Sequence, residues 1–365
     1  MRRFPTPSLT LLTLCLGAFT AQAYGQHYTQ TNLTSDQSGI ATNMDPHLVN
    51  PWGLSRGTGT PWWASDNGTG LSTLYDGTGA AKSLVVTVPT GDPNVSPTGT
   101  PTGTVVNIGT GFELAPKMPA RFMWVTEDGT ISGWNPAVNP TSAVIMVNTK
   151  SAAVFKGVAL ATVKSFSGQE ATFLYAADFR GGRVQIYDSS FHRMWLGGAF
   201  RDDRLPHGYA PFNIQNIGGE LYVTFARQDS ARHDEVDGPG LGYVDVFTPT
   251  GFLLRRLQHG SWLNGPWAIA MAPGDFGIYS HDLLVGQFGS GQIAVYDPAT
   301  GRFIDLLRDA SNNPITIGGL WDLSFASGGT SGSATTLYFS AGSDDEQHGL
   351  FGNITAVENP LGNSQ

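Results

Sequence analysis

The sequence predicts an all-β fold made of six similar four-stranded sheets, on the basis of three observations. A short phrase of the form Pro-aromatic-small-aliphatic recurs along the 365-residue chain at a nearly constant interval. Each copy is followed by runs of β-branched and aromatic residues separated by Gly, Asp, Asn and Pro, which is the pattern of antiparallel hairpins. No long window shows apolar residues at helical spacing with caps at both ends.

The recurring phrase gives the number of repeats. It reads PWGLS, PTGTV, FKGVA, PFNIQ, PWAIA and LWDLS. The second positions are separated by 50, 54, 56, 55 and 54 residues, and they hold Trp52, Thr102, Lys156, Phe212, Trp267 and Trp321. A period near 54 residues is too long for a β-helix rung and suits a four-stranded blade. We therefore predict a six-bladed β-propeller, with a β-sandwich pair or a β-solenoid as the alternative.

The two ends of the chain complement each other in this arrangement. The sixth repeat has no fourth strand, because the chain ends soon after Val357, whereas the strand-like residues 27–34 belong to no repeat. An open sheet edge invites pairing with other chains. We predict that the N-terminal strand closes blade six as its outer edge.

The first residues have the features of an export signal. Arg2 and Arg3 precede an apolar run over residues 9–19, and Ala21-Gln22-Ala23 matches the small-residue cleavage pattern. The run is about half of the roughly 20 residues that span a bilayer, so we expect no membrane span. The predicted division is a signal peptide over residues 1–23, one propeller domain over residues 24–358 and a short tail over residues 359–365. The protein is then secreted or periplasmic.

Composition excludes several classes of function. Cys15 is the only cysteine and lies inside the predicted signal, so the mature chain has no disulfide, thiolate zinc site or thiol nucleophile. Removing Arg2 and Arg3 with the signal changes the net charge from −9 to −11. An acidic protein is poorly suited to nucleic acid. We expect a monomer without a nucleic-acid partner.

Three acidic residues end the second strands of the first three repeats. Aligning these strands places Asp66, Glu127 and Asp178 at one position, which Phe225, Gln287 and Ala341 share in the later repeats. Second strands end at the rim where first strands begin. Carboxylates facing a narrow channel repel each other unless a proton, a cationic side chain or a bound cation intervenes. Oxygen ligands favour Ca²⁺ or Mg²⁺. The alternative is turn chemistry, in which an Asp side chain bonds its own backbone.

Further polar residues fall on the same predicted rim. Charge-assisted hydrogen bonds from such residues would hold a polar ligand, although solvated loops or ion pairs between blades are an alternative for each of them. Lys156 replaces the aromatic residue of other repeats and is the simplest internal partner for the carboxylates. The candidate ligand-binding residues are Lys156, Arg180, Asn213, Arg227, Gln228, Gln287 and Asp322.

Several longer phrases carry a family resemblance. DPHLVNPWG, WWASDNGTGLSTLYDGTG, GYAPFNIQNIGG and LLVGQFGSG resemble an uncharacterised family of secreted bacterial β-propellers, some of which carry a C-terminal PEP-CTERM sorting tail. The likeness covers residues 28–357, and at a coarser level the chain resembles NHL-like and gluconolactonase-like propellers. It implies fold and export but no activity. The ending VENPLGNSQ has no sorting motif, and the Glu-Gly-Pro phrase of gluconolactonase-like metal sites is missing.

The sequence favours a binding protein over an enzyme. We expect recognition of a small polar ligand, a glycan or a protein partner at the channel rim, with a divalent cation as a candidate mediator and no organic cofactor. No nucleophile elbow or phosphate loop occurs. The first alternative is a metal-dependent hydrolase or lactonase that uses Glu127 or Asp178 at this rim as a base. The second alternative is an interaction scaffold without a small-molecule site.

Overall fold

Six antiparallel sheets surround one axis in the computed structural model, which describes residues 27–165 and 167–357. The predicted signal peptide and the whole of the predicted tail lie outside the described residues. The N-terminal strands are β1 (Tyr28–Ser35) and β2 (Asn43–Met44). Blade one holds β3 (Pro51–Ser55), β4 (Trp62–Asp66), β5 (Leu71–Tyr75) and β6 (Val86–Thr87). Blade two holds β7 (Pro101–Val106), a side hairpin of β8 (Glu113–Ala115) and β9 (Met118–Pro119), then β10 (Phe122–Thr126), β11 (Thr130–Trp134) and β12 (Val144–Asn148).

The remaining blades repeat the order of inner strand, second strand, third strand and outer strand. Blade three holds β13 (Phe155–Lys164), β14 (Glu170–Asp178), β15 (Arg183–Tyr187) and β16 (Arg193–Met194). Blade four holds β17 (Tyr209–Ile217), β18 (Glu220–Arg227), β19 (Tyr243–Phe247) and β20 (Leu253–Arg256). Blade five holds β21 (Pro266–Met271), β22 (Leu283–Gln287), β23 (Ile293–Tyr296) and β24 (Phe303–Leu306). Blade six holds β25 (Leu320–Phe325), β26 (Leu337–Gly342) and β27 (His348–Ala356).

Helical structure is confined to single turns among the described residues. Two short 3₁₀ turns cover Gly277–Tyr279 and Gly329–Ser331, and α1 (Ser343–Glu346) is a four-residue turn before β27. In α1 the backbones of Asp344 and Asp345 are in the left-handed region, with φ of 52° at both. No helix in the described ranges is long and apolar enough to cross a membrane.

The N-terminal strand closes blade six, which confirms the sequence prediction. β1 pairs antiparallel with β27, from Tyr28 opposite Ala356 to Ser35 opposite Leu350, and β2 adds a short parallel edge outside it. Tyr28 is buried, packs on Phe276 and donates its hydroxyl proton to the Phe276 carbonyl at 2.9 Å. The outermost long strand of blade six is therefore anchored to blade five as well.

The inner strands of neighbouring blades approach each other closely near the axis. A Cβ atom on Gly53 would lie 2.8 Å from the Thr102 carbonyl oxygen, and one on Gly157 would lie 2.1 Å from the Asn213 side chain. Both distances are below van der Waals contact, so a larger residue would force the strands apart. The third position of the recurring phrase is small for this reason in blades one and three.

Aromatic side chains fill the axis just below the start of the inner strands. Trp52 stacks on Trp321, with ring centroids 3.4 Å apart, and meets Phe212 of the opposite blade at 6.5 Å. Trp267 packs edge-on against both indoles. Blades one and four touch here, which is possible only across the axis. We call these four residues the axial cluster; their burial agrees with the core role expected for the tryptophans and leaves no exposed stacking platform.

Candidate functional site

Five of the six second strands have the register expected from the sequence, and blade two differs. The residues opposite the first residue of each recurring phrase are Asp66, Thr126, Asp178, Phe225, Gln287 and Ala341. In blade two this position belongs to Thr126 rather than Glu127. Neighbouring residues of a strand point to opposite sides, so a shift of one residue reverses the direction of the side chain. The three carboxylates are therefore not equivalent.

Asp66 and Asp178 point into their own blades. Asp66 accepts hydrogen bonds from the Thr73 amide and hydroxyl at 3.0 and 2.8 Å, and Asp178 accepts one from the Gln185 amide at 2.8 Å. Both carboxyls are fully buried. Burial raises the pKa of Asp66 well above its usual range, with a further contribution from Asp45. The prediction that Asp66, Glu127 and Asp178 share one channel-facing cluster is wrong, because only Glu127 faces the axis.

Lys156 is the centre of the upper rim, which we define as the face where inner strands begin and second strands end. Its Nζ donates to Glu127 Oε1 at 2.6 Å and to Asp234 Oδ1 at 3.2 Å. The side chain is 1% exposed, and Nζ lies 4.8 Å from the centre of the Trp52 ring. The ammonium group therefore rests on the axial cluster, with carboxylates above it. The expected pairing of Lys156 with the acidic rim holds for Glu127 but not for Asp178.

A long loop over residues 229–240 brings the other acids to Lys156. This loop joins the second and third strands of blade four. The His233 amide is held by the Asp229 carboxylate at 2.8 Å, and the Gly238 amide is held by the Asn264 side chain at 2.6 Å. His233 Nδ1 lies 2.8 Å from Asp234 Oδ1. The loop is thus fixed at both ends and carries Asp234 and Glu235 to the rim.

The charges around Lys156 shift one another's titration. Burial alone would lower the pKa of Lys156, but attraction by Glu127, Glu235 and Asp234 raises it overall. The hydrogen bond from His233 lowers the pKa of Asp234 and raises that of His233 itself. Glu235 retains contact with solvent, yet desolvation by the surrounding protein raises its pKa to about 8 despite the nearby lysine. Asp234 and Glu235 therefore have widely separated pKa values, although they are adjacent in this loop.

A hydrogen-bond network extends the site to blades one and six. Glu346 Oε2 accepts from Asn50 Nδ2 at 2.6 Å, and Asn50 Oδ1 accepts from Trp321 Nε1 at 2.9 Å. Asn67 Nδ2 donates to Glu127 Oε2 at 2.8 Å. Desolvation raises the pKa of Glu346. Asn50 and Glu346 both have positive φ, at 47° and 65°, which is a costly conformation for a residue with a side chain.

The other residues predicted from the sequence are either exposed to solvent or hydrogen-bonded to the protein backbone. Arg180 is exposed in part to solvent and donates to the Ser151 carbonyl, and Gln228 donates to the Phe179 carbonyl. Arg227 is exposed at the end of β18, outside the Lys156 network. Gln287 is buried and accepts from the Asn264 amide at 2.9 Å. None of these four side chains contacts Lys156 in the described structure.

Asn213 and Asp322 lie below the axial cluster rather than on the upper rim. They occupy the third position of the recurring phrase, one residue beyond Phe212 and Trp321. Both line a cavity that opens on the opposite face of the propeller. Their expected place among the upper-rim residues is therefore wrong, because the inner strands run down the axis from the rim.

The upper rim has donor atoms that suit a cation. One ligand atom each from Glu127, His233 and Asp234 lies within 4.8 Å of the others. Glu235 and Glu346 add two partly desolvated carboxyls near them. Four carboxyl groups thus surround one lysine, so the rim has more carboxyl groups than Lys156 can pair with. Sequence reasoning missed Asp234 and Glu235, because nothing in DEVDGPG shows where a loop of this length returns.

These features define a six-bladed β-propeller with a charged upper rim and an aromatic-filled axis. The chain belongs to a family that includes two proteins of Acanthamoeba polyphaga mimivirus. It is 32% identical to the uncharacterized protein L690 over 333 residues, covering 88% of this chain and 84% of the relative. It is 33% identical to the uncharacterized protein R648, covering 88% and 78%. These relatives are viral, so they do not support the bacterial, PEP-CTERM-bearing part of the resemblance.

Solved structures support the fold alone. A Bacteroides thetaiotaomicron structural-genomics protein of unknown function aligns with a TM-score of 0.55 at 11% identity, over 91% of this chain and 77% of that one. The PQQ-bound aldose sugar dehydrogenase of Streptomyces coelicolor aligns with a TM-score of 0.50 at 11% identity, over 92% and 99%. A streptogramin B lyase aligns at 0.49 and 12% identity, over 92% and 100%. No family model matches the chain.

Proposed function

We propose that the protein is an exported binding propeller whose upper rim recognises a small polar ligand carrying a positive charge. The observation that supports this is the surplus of carboxyl groups around Lys156. Glu127 and Asp234 are already paired with the lysine, whereas Glu235 has no salt-bridge partner among the described residues. A bound cation would stabilise its ionised form.

A divalent metal ion and an organic amine both satisfy this charge requirement. Glu127, His233 and Asp234 offer oxygen and imidazole ligands for a metal ion, and Ca²⁺ and Mg²⁺ remain our first candidates because carboxylate oxygen dominates the set. An amine would use the same carboxylates as hydrogen-bond acceptors. Export is proposed from residues 1–23, and it would place the rim in contact with extracytoplasmic solutes.

Titration with cations over a range of pH tests this proposal. Binding of Ca²⁺, Mg²⁺, Mn²⁺ and 1,4-diaminobutane is measured by calorimetry. Glu235 attracts a cation only in its ionised form. The association constant should therefore rise with pH, by up to about tenfold per pH unit below pH 8, and level off above pH 8. Lys156, Asp237 and Glu346 face the same carboxyl, and the pKa of the nearby His233 is raised as well, so only the part of the pH dependence that Glu235→Gln removes is assigned to Glu235.

Substitutions distinguish cation binding at the upper rim from nonspecific binding to surface charge. Glu235→Gln should weaken binding by about tenfold or more and remove the pH dependence. Glu170→Gln is the matched control, because Glu170 is an exposed carboxylate at the start of β14, away from the rim. Saturable binding that is equal in both variants, or the absence of binding by all four probes, would contradict the proposal.

A hydrolase acting at the same rim is the second candidate, and the divided titration of the 229–240 loop favours it. Asp234 is held ionised by His233 while the neighbouring Glu235 keeps its proton to about pH 8. Carboxyls whose pKa values differ in this way can act as base and acid in one site. With Ca²⁺, Mg²⁺ or Mn²⁺ present, turnover of lactones or esters that falls about 10²-fold in both Asp234→Asn and Glu235→Gln would establish this activity. Turnover equal to buffer would exclude these substrates.

A further inference from the structure

The cavity that Asn213 and Asp322 line opens on the lower face of the propeller, where the inner strands end. It has a volume of about 480 Å³ and is closed above by Trp267 of the axial cluster. This volume lies in the range of roughly 300–1,000 Å³ that is typical of small-molecule sites. The axial cluster separates the cavity from Lys156 and the upper rim, so its occupant is independent of the ligand proposed above.

The walls of the cavity carry unused neutral hydrogen-bonding groups. Ser55, Ser324 and Gln215 line it from blades one, six and four, and none of their side chains has a hydrogen-bond partner in the described part of the chain. Each of these groups donates and accepts hydrogen bonds. A matching ligand has groups that also both donate and accept hydrogen bonds, as hydroxyl groups do.

The two ionisable residues of the wall are already engaged with the backbone. Asp322 accepts hydrogen bonds from the Leu54 and Leu323 amides, both at 2.7 Å, and Arg56 donates to the Phe325 carbonyl. A carboxyl group has about four acceptor positions, so Asp322 keeps roughly two for a ligand. The wall therefore has one acid and one base, both already hydrogen-bonded to the backbone, and burial raises the pKa of Asp322 to about 7. Neither residue requires an ionic ligand as its partner.

Short apolar stretches complete the wall. Val105, Val158 and Leu160 line the cavity from blades two and three, and the polar side chains line it from blades one, four and six. A ring with hydroxyl groups on its edges and C–H groups on its faces presents both kinds of surface. A flexible or fully apolar molecule would leave the polar groups without partners, which is costly in a buried site.

We propose that the lower cavity binds a small uncharged polyhydroxylated ring, such as a monosaccharide or a cyclic polyol. Gln215, Ser55 and Ser324 hydrogen-bond its hydroxyl groups, Asp322 accepts from a further hydroxyl, and the aliphatic wall contacts its C–H face. The two ends of the propeller then carry two chemically different sites, a charged one above and a neutral one below.

The test is a binding titration of the full chain with D-glucose, D-galactose and myo-inositol, up to the high millimolar range, by calorimetry and ligand-observed NMR. At least one probe should bind saturably. Ser324→Phe, which fills the cavity, should abolish that binding, and Gln215→Ala should weaken it about tenfold through the loss of one hydrogen bond. Gln169→Ala, an exposed amide in a hairpin turn of blade three, should leave it unchanged.

Two results would overturn the proposal. One is the absence of saturable binding by all three probes. The other is binding that survives both Ser324→Phe and Gln215→Ala; if Ser324→Phe does not fold, Gln215→Ala alone decides. Glu235→Gln distinguishes the two sites, because it should leave binding of the neutral probe intact while weakening binding of cations at the upper rim.

Discussion

Deleting residues 28–35 is expected to open blade six and to make the protein aggregate. β1 pairs with β27 from Leu350 to Ala356, so its loss leaves the hydrogen-bonding groups of that strand exposed. Such an edge pairs readily with other chains. The deletion also removes Tyr28, whose ring is buried against blade five. Light scattering and thermal unfolding followed by circular dichroism measure the two effects.

A point substitution provides a milder version of the same experiment. Tyr28→Ala should destabilise the fold by about 3–5 kcal/mol, the usual range for truncating a large buried aromatic residue. Thr29→Ala is the matched control, because Thr29 is exposed on the same strand. A melting temperature that is unchanged in the deletion variant would show that β1 does not close the propeller.

Lys156→Met is expected to cause the largest loss of stability of any single charge substitution at the upper rim. Removing one partner of a buried ion pair leaves the other charge unpaired, which costs about 3–5 kcal/mol, and partial exposure of Asp234 favours the lower value. For a chain of this length the melting temperature should fall by roughly 5 °C. Lys164→Met, at an exposed pair, should change it little.

A double substitution tests whether the effect is electrostatic. Glu127→Gln in the Lys156→Met background removes the unpaired carboxylate and should restore part of the lost stability. The raised pKa of Lys156 also fixes the direction of the pH effect. Its contribution is complete below the usual lysine range and is lost as the pH rises through the higher native pKa. Additive effects of the two substitutions would show that Lys156 acts by packing alone.

The blades and their closure follow from local sequence. The phrase that begins at Pro51 recurs because four of the six blades place an aromatic residue beside the axis, so packing imposes a period that the sequence shows directly. The strand that begins at Tyr28 is left without a repeat, and the last blade lacks an outer strand. The period follows from packing, whereas the closure follows from the hydrogen bonds that an open sheet edge would leave unpaired.

The site could be predicted only in part, because it depends on one register and one loop. Aligning Glu127 with Asp66 because both are acidic overlooks Thr126, which occupies the equivalent position. The Thr126 hydroxyl accepts a hydrogen bond from the Thr130 amide at 2.9 Å, just as the Asp66 carboxylate accepts one from the Thr73 amide. Asp234 reaches Lys156 across 78 residues of chain. No local pattern fixes such a distance, since it depends on how the loop over residues 229–240 is held by Asn264.

The pairing of the first described strand with the last gives folding a fixed order in time. Ser35 bonds the carbonyl of Gly349 at 2.8 Å, 314 residues further along the chain. A ribosome that has made blades one to five has not yet made the partner of β1, so this strand must wait unpaired until blade six has been made. Contacts so distant in sequence form slowly. We therefore expect the closing of the ring to be a late step in folding, with β1 as an exposed strand until then.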